Sequence, residues 1–220
     1  EMQRSLVGSE MCIRDRVYLR LIYEALARGR TAMVLVPEIA LTPQLLRIFA
    51  SHFGDDIAVL HSSLRAGERY DEWKRVRSGQ ARVVIGTRSA VFAPLRNLGL
   101  LILDEEQEST YKSENVPKYH ARDVAKYRCA QNDALLVLGS ATPSVESMYH
   151  ARRGDYRLFT LRRRYNEQAL PEVLIADMKQ ELRVGNGTSL SGPLRAGLAA
   201  AMEAGEQSIL FLNRRGASRM

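Results

Sequence analysis

The sequence predicts an α/β fold: a mainly parallel sheet with helices wound on both faces. Three observations predict it. Five short apolar runs punctuate the first 140 residues, and none alternates strictly between apolar and polar, as strands buried on both faces do not. Stretches of helical length and amphipathic spacing separate most of them. Several of those stretches start on Thr-Pro or stop on glycine, which is helix-capping chemistry.

Each element follows in order. VYLRLIYEALARG (17–29) is a helix with Val17, Leu21 and Ala25 on one face and Gly29 as its stop. AMVLV (32–36) is a strand, and TPQLLRIFASHFG (42–54) is a helix with Thr42 as N-cap and Pro43 in the first helical position. DIAVLH (56–61) is a strand, SLRAGERYDEWKRVRSG (63–79) a helix, and ARVVIGT (81–87) and LGLLILD (98–104) are strands. HARDVAKYRCAQ (120–131) is a helix, ALLVLGS (134–140) a strand, and TPSVESMYHARRG (142–154) a helix that repeats the Thr-Pro start. Beyond it, YRLFTL (156–161) and EVLIADM (172–178) read as strands, and QELRVGNGTSLSG (180–192) as a polar linker. A helix over 192–205 and a strand SILFLN (208–213) then begin something new. The expected organisation is a first lobe over 17–178, a linker over 179–191 and the start of a second lobe over 192–220.

Composition narrows the function. Hydrophobic residues are 45% and charged residues 26%, ordinary for a globular chain. No apolar run approaches the roughly 20 residues of a membrane span, and charged residues break every candidate signal segment. Two cysteines, Cys12 and Cys129, argue against a disulfide scaffold or a cysteine zinc site and suit a reducing cytoplasm. The net charge of +7 fits a polyanion partner, and equally a basic solvated surface.

The chemistry gathers where strands end, the edge at which open α/β sheets bind ligands. LGLLILDEEQ runs from a buried strand straight into Asp104, Glu105 and Glu106. An aspartate there can hold Mg2+ and a glutamate can orient water for phosphoryl transfer; the plain alternative is a charged loop. Thr42, Arg88 and the pair Ser140 and Thr142 stand just past three other strands, where hydroxyls, helix N–H groups and a guanidinium can meet phosphates. Tyr111, Lys112, Lys118, Tyr119, His120 and Arg122 interleave aromatics with cations, as single-strand binding uses, or are core tyrosines beside a helix start. Glu106 reads as solvated, His61 as a strand-end hydrogen bonder, Cys129 as a buried apolar residue and Trp73 as a helix anchor.

In order, PEIALTPQ, IGTRSAVFAP, DEEQ, GSATPS and LFLNRRG resemble motifs Ia, Ib, II, III and the approach to motif IV of superfamily 2 helicases. VYLRLI, LHSSL, GERYDEW, YHARDVAKYR and ILFLNRRGAS make the chain similar to the primosomal replication-restart DNA helicases, from Val17 to Met220. The resemblance implies a RecA-like P-loop NTPase lobe of an ATP-dependent 3′-to-5′ DNA helicase that restarts stalled forks and assembles the primosome. It implies ATP and Mg2+ as cofactors, with Asp104 holding Mg2+ through water and Glu105 activating the attacking water. It implies single-strand contacts at Thr42, Arg88, Tyr111, Lys112, Lys118, Tyr119 and Arg122, and coupling of hydrolysis to movement through Gln107, Ser140 and Thr142. The family usually has histidine where Gln107 stands. The partners implied are single-stranded and forked DNA, primosome proteins and single-strand-binding proteins, in a bacterial cytoplasm at the nucleoid. The family's zinc cluster would lie beyond Met220.

One part does not fit. The phosphate loop of such a motor belongs just before Val17, where Gly-Lys-Thr-Glu is the family pattern. Here Ile13, Arg14 and Asp15 take the glycine, lysine and threonine places. Residues 1–16 are therefore expected to be a non-native leader, resembling translated adapter sequence, and the chain is expected to be an inactive piece of its parent. An uninterrupted genomic frame encoding them would overturn this; a degenerate, ATP-independent lobe is the alternative. Two other functions stay open: another superfamily 2 DNA translocase, and a non-catalytic DNA-binding lobe.

Overall fold

Five parallel strands form one sheet in the order β2-β3-β1-β4-β5. The strands are β1 (Thr31–Leu35), β2 (Ile57–Leu60), β3 (Val83–Gly86), β4 (Leu98–Leu103) and β5 (Leu135–Leu138). The computed structural model describes residues 13–161 and 172–211. The chain forms two units that divide after Asn166. The first holds the sheet with α1 (Ile13–Ala27), α2 (Pro43–Phe53), α3 (Ala66–Ser78), α4 (Ala121–Asn132) and α5 (Val145–Arg153).

β1 lies at the centre, with Val34 beside Ile85 of β3 on one side and Ile102 of β4 on the other. Its side chains feed two cores. Met33 and Leu35 pack with Val84, Leu101 and Leu103, under Val76 of α3 and Ala121, Ala125 and Cys129 of α4. Ala32 and Val34 pack with Ile85 and Ile102, under Tyr18, Leu19 and Ile22 of α1 and Phe49 and Phe53 of α2. The strands are almost wholly apolar because the four from β1 to β4 are covered on both faces, whereas β5 at the sheet edge leaves Leu135 exposed. β4 ends one residue before the acidic run, so the sheet delivers Asp104 to its carboxyl edge.

The helix stops hold. Gly79 and Gly154 close α3 and α5 in the left-handed conformation. Thr42 caps α2, its hydroxyl accepting from the Leu45 N–H at 3.2 Å, with Pro43 at the first helical position. At α5 the cap is Ser144 rather than Thr142, because the Ser144 hydroxyl accepts from the Ser147 N–H. α3 starts at Ala66, later than expected, where the Glu68 carboxylate accepts from the Arg65 N–H at 2.9 Å. α1 starts at Ile13, so residues 13–16 of the expected leader form its first turn.

Three expected strands do not form in the described residues. The segments 156–161, 172–177 and 208–211 have no ladder, and Phe159, Ile175, Ile209 and Phe211 are exposed. An apolar run becomes a strand only where a neighbour takes its backbone hydrogen bonds, and none among the described residues does so here. The expected linker instead starts as a helix, α6 (Met178–Arg183), capped by the Asp177 carboxylate. α7 (Gly192–Glu203) follows, close to expectation, with Ser191 as its cap. Residues 162–164 and 212–220 lie outside the described residues.

Candidate functional site

The acidic run turns sharply at the end of β4. The Asp104 N–H still donates to the Leu35 carbonyl (2.9 Å), continuing the sheet pairing, but Glu105 sits at φ 46°, the left-handed region a residue with Cβ enters at a cost. That kink sends the three carboxylates to different environments. Tyr111 pins the turn from below, its hydroxyl within reach of the Asp104 carbonyl (2.7 Å) and the Leu35 carbonyl (2.9 Å).

Asp104 accepts from the Tyr18 hydroxyl at 2.8 Å and lies 3.5 Å from Nε of Arg14. Burial lifts its carboxyl above the usual range against the opposing pull of that hydroxyl and of Arg14. Glu105 accepts from Arg14 Nη2 at 2.5 Å and from Gln107 Nε2 at 2.9 Å. Burial raises its pKa, but the bonds from Gln107 and Arg14 outweigh it and hold the carboxyl below the usual range. The series continues: the Ser140 hydroxyl donates to Gln107 Oε1 at 2.6 Å and accepts from the Thr142 N–H at 2.9 Å. Glu105, Gln107, Ser140 and Thr142 thus form one hydrogen-bonded path from the acidic turn to the loop after β5. Gly139, beside this path, makes room for Tyr18, since a Cβ there would lie 1.7 Å from the Tyr18 hydroxyl oxygen.

Glu106 corrects the expectation of a solvated residue: it is 2% exposed. One carboxylate oxygen accepts from the Ser144 N–H (2.7 Å), the other from Arg122 Nη1 (2.9 Å) and the Ser147 hydroxyl (2.9 Å). A buried carboxylate persists only when its lone pairs are filled this way. Arg122 is corrected with it. Its guanidinium turns inward and is spent on Glu106, Ser144 and Ser147. Tyr111, 1% exposed with its hydroxyl spent on backbone, is a core residue and offers no face to a base.

The other sequence-predicted contacts lie along the same edge. Thr42 is exposed at the α2 start. Arg88 follows β3, but its Nη1 donates to the carbonyls of Thr110 (3.1 Å) and Lys112 (2.8 Å), and its guanidinium lies 5.9 Å from the Tyr119 ring centroid. It braces the 110–119 loop. Lys112 and Lys118 are exposed and Tyr119 is half-buried.

Sequence reasoning missed Tyr18, whose partner is 86 residues away, and the Glu106–Arg122 pair. No local period marks such contacts. The only available signal was YHARD itself, a cation following a run of carboxylates.

Among the described residues there is no group of three or more His, Cys, Asp or Glu that could hold a metal. The pair Asp104 and Glu105 suits Mg2+ nonetheless, an ion that keeps its waters and needs one or two carboxylates plus phosphate oxygens. The Arg14 guanidinium covers both carboxylates and would have to move aside for it.

Residues 16–150 match the family model for the DEAD/DEAH box helicases. The chain is 48% identical over 205 residues to the replication restart protein PriA of Bacillus subtilis, covering 93% of this chain and 26% of that protein. It is also 48% identical to that of Treponema pallidum, covering 93% of this chain and 30% of the relative. The chain therefore spans between a quarter and a third of the length of these two relatives. A solved structure of RecG bound to a three-way DNA junction matches at 25% identity and a TM-score of 0.45, over 63% of this chain and 18% of that one.

Proposed function

The chain belongs to the DEAD/DEAH box helicase family, and from that membership we propose that it is the first motor lobe of an ATP-dependent, 3′-to-5′ replication-restart DNA helicase. The observation that carries the reading is the path Glu105–Gln107–Ser140–Thr142, which ties a carboxylate suited to water activation to the loop after the next strand. Such a path gives hydrolysis a physical route to the rest of the lobe.

In this reading Asp104 would hold Mg2+, and Glu105, kept ionised by Gln107 and then Arg14, would orient the attacking water. When bound, the metal ion neutralises charge developing on the phosphates. Tyr18 fixes the Asp104 carboxylate, and Gly139 lets that tyrosine in. Thr42, Lys112, Lys118 and Tyr119 face single-stranded DNA, with Arg88 shaping their loop. Forked DNA, primosome and single-strand-binding proteins, a bacterial cytoplasm and a zinc cluster belong to the whole protein in this reading. Its test is unwinding of a forked duplex by the native-length helicase. Glu105→Gln should abolish both unwinding and ATP hydrolysis while DNA binding persists; full activity in that variant would remove Glu105 from the chemistry.

The chain as it stands is catalytically silent in this reading. Arg14 already satisfies the two carboxylates that a metal–nucleotide complex would need. Phosphate release from ATP should stay at the blank with or without single-stranded DNA, and robust turnover would refute it.

A further inference from the structure

Phe92 is 55% exposed in a segment that otherwise faces inward, since Ala90, Val91, Ala93 and Leu95 are all buried. Single exposed apolar side chains are common and need no function. This one is held unusually firmly. The carbonyls on either side of it, those of Val91 and Ala93, both accept from Nη1 of Arg128, the second at 2.9 Å. That guanidinium therefore clamps the backbone that presents the ring. Tyr119 stands edge-on to Phe92, ring centroids 4.9 Å apart and planes at 73°. Arg88 lies beside Tyr119 in turn, and the exposed Lys112 and Lys118 flank the same loop.

A braced ring needs little further ordering to bind, and cations beside it can take phosphates while the ring takes a base. We propose that Phe92, backed by Tyr119, is a base-stacking contact for single-stranded DNA, with Arg128 as its positioning residue. The proposal rests on the reading of this lobe as part of a DNA motor. It adds a residue that the acidic site does not touch and that removes no charge when replaced. Stacking is tolerant of sequence, since every base has a π face.

The experiment is fluorescence anisotropy of a labelled oligo-dT with the whole chain. Phe92→Ala should weaken binding about tenfold, within what one stacked base gives, with the salt dependence of binding unchanged because no phosphate contact is lost. Phe92→Trp should bind as the parent does. In a Trp73→Phe background its introduced indole should be quenched by oligo-dT, and not by a blunt duplex. Arg128→Gln should weaken binding with the same salt slope. Circular dichroism confirms the fold of each variant. If the parent chain binds oligo-dT and Phe92→Ala binds it equally, or the indole is not quenched, the stacking proposal falls and the motor reading stands. If the parent chain binds no single strand at all, both fall.

Discussion

Glu106 is the residue whose environment departs furthest from what its sequence neighbours suggest. Its side chain is 1% exposed and that of Arg122 is 15% exposed, so each is the other's counter-charge inside the lobe. Removing one partner strands a buried charge. Glu106→Ala should therefore lower unfolding free energy by about 3–5 kcal/mol in urea titrations. The double variant Glu106→Ala/Arg122→Ala should lose clearly less than the sum of the two single losses. Additive losses would mean that the two groups do not interact. The placement of Asp104 and Glu105 at a sheet edge was legible because they directly follow an apolar strand run. Glu106 was not, because a turn at one residue, Glu105, decides which carboxylate is buried. Tyr18 was hidden for a similar reason: its role depends on a glycine and an aspartate that meet only after the sheet assembles.

At the scale of elements, the start signals carry measurable stability. Thr42→Ala removes the hydroxyl that caps α2 and should cost about 1 kcal/mol. Thr42→Ser should restore most of it, and an unchanged midpoint in urea for Thr42→Ala would contradict the cap. The sheet and its five covering helices were readable because doubly buried strands and capped helices announce themselves locally. The segments 156–161, 172–177 and 208–211 were misread for the converse reason. Their composition suits a strand, but pairing is a non-local property, and apolar residues without a neighbouring ladder stay irregular. α6 was missed because Gly, Ser and Asn nearby outweighed a six-residue helix whose cap, Asp177, closes an apolar run.

For the molecule as a whole, two histidines should set its tolerance of mild acid. Burial lowers the pKa of His52, whose Nδ1 lies 3.0 Å from the Tyr23 hydroxyl. Burial first and the Arg122 charge second lower that of His120, whose Nδ1 accepts from the Arg122 N–H to cap α4. Both are held neutral in the fold, so below their ordinary value of 6.5 the unfolded chain takes up protons more readily. Stability should be full above that value and fall as pH drops through the window beneath it. Urea midpoints at about pH 7.5 and 5.5 should differ, and the His52→Gln/His120→Asn double variant should flatten the difference; an unaltered slope would assign it to other groups.

Gly139 carries a consequence of a different kind. It has no side chain to conserve, yet the oxygen of Tyr18 fills the space where one would begin, and its ring carbon Cζ is only 3.0 Å from that point. Gly139→Ala should lower the urea midpoint, because the Tyr18 hydroxyl and its bond to Asp104 would have to give way. Tyr18→Phe should relieve part of that cost, since the hydroxyl oxygen is the atom in the way and the ring carbon need give by only a few tenths of an ångström.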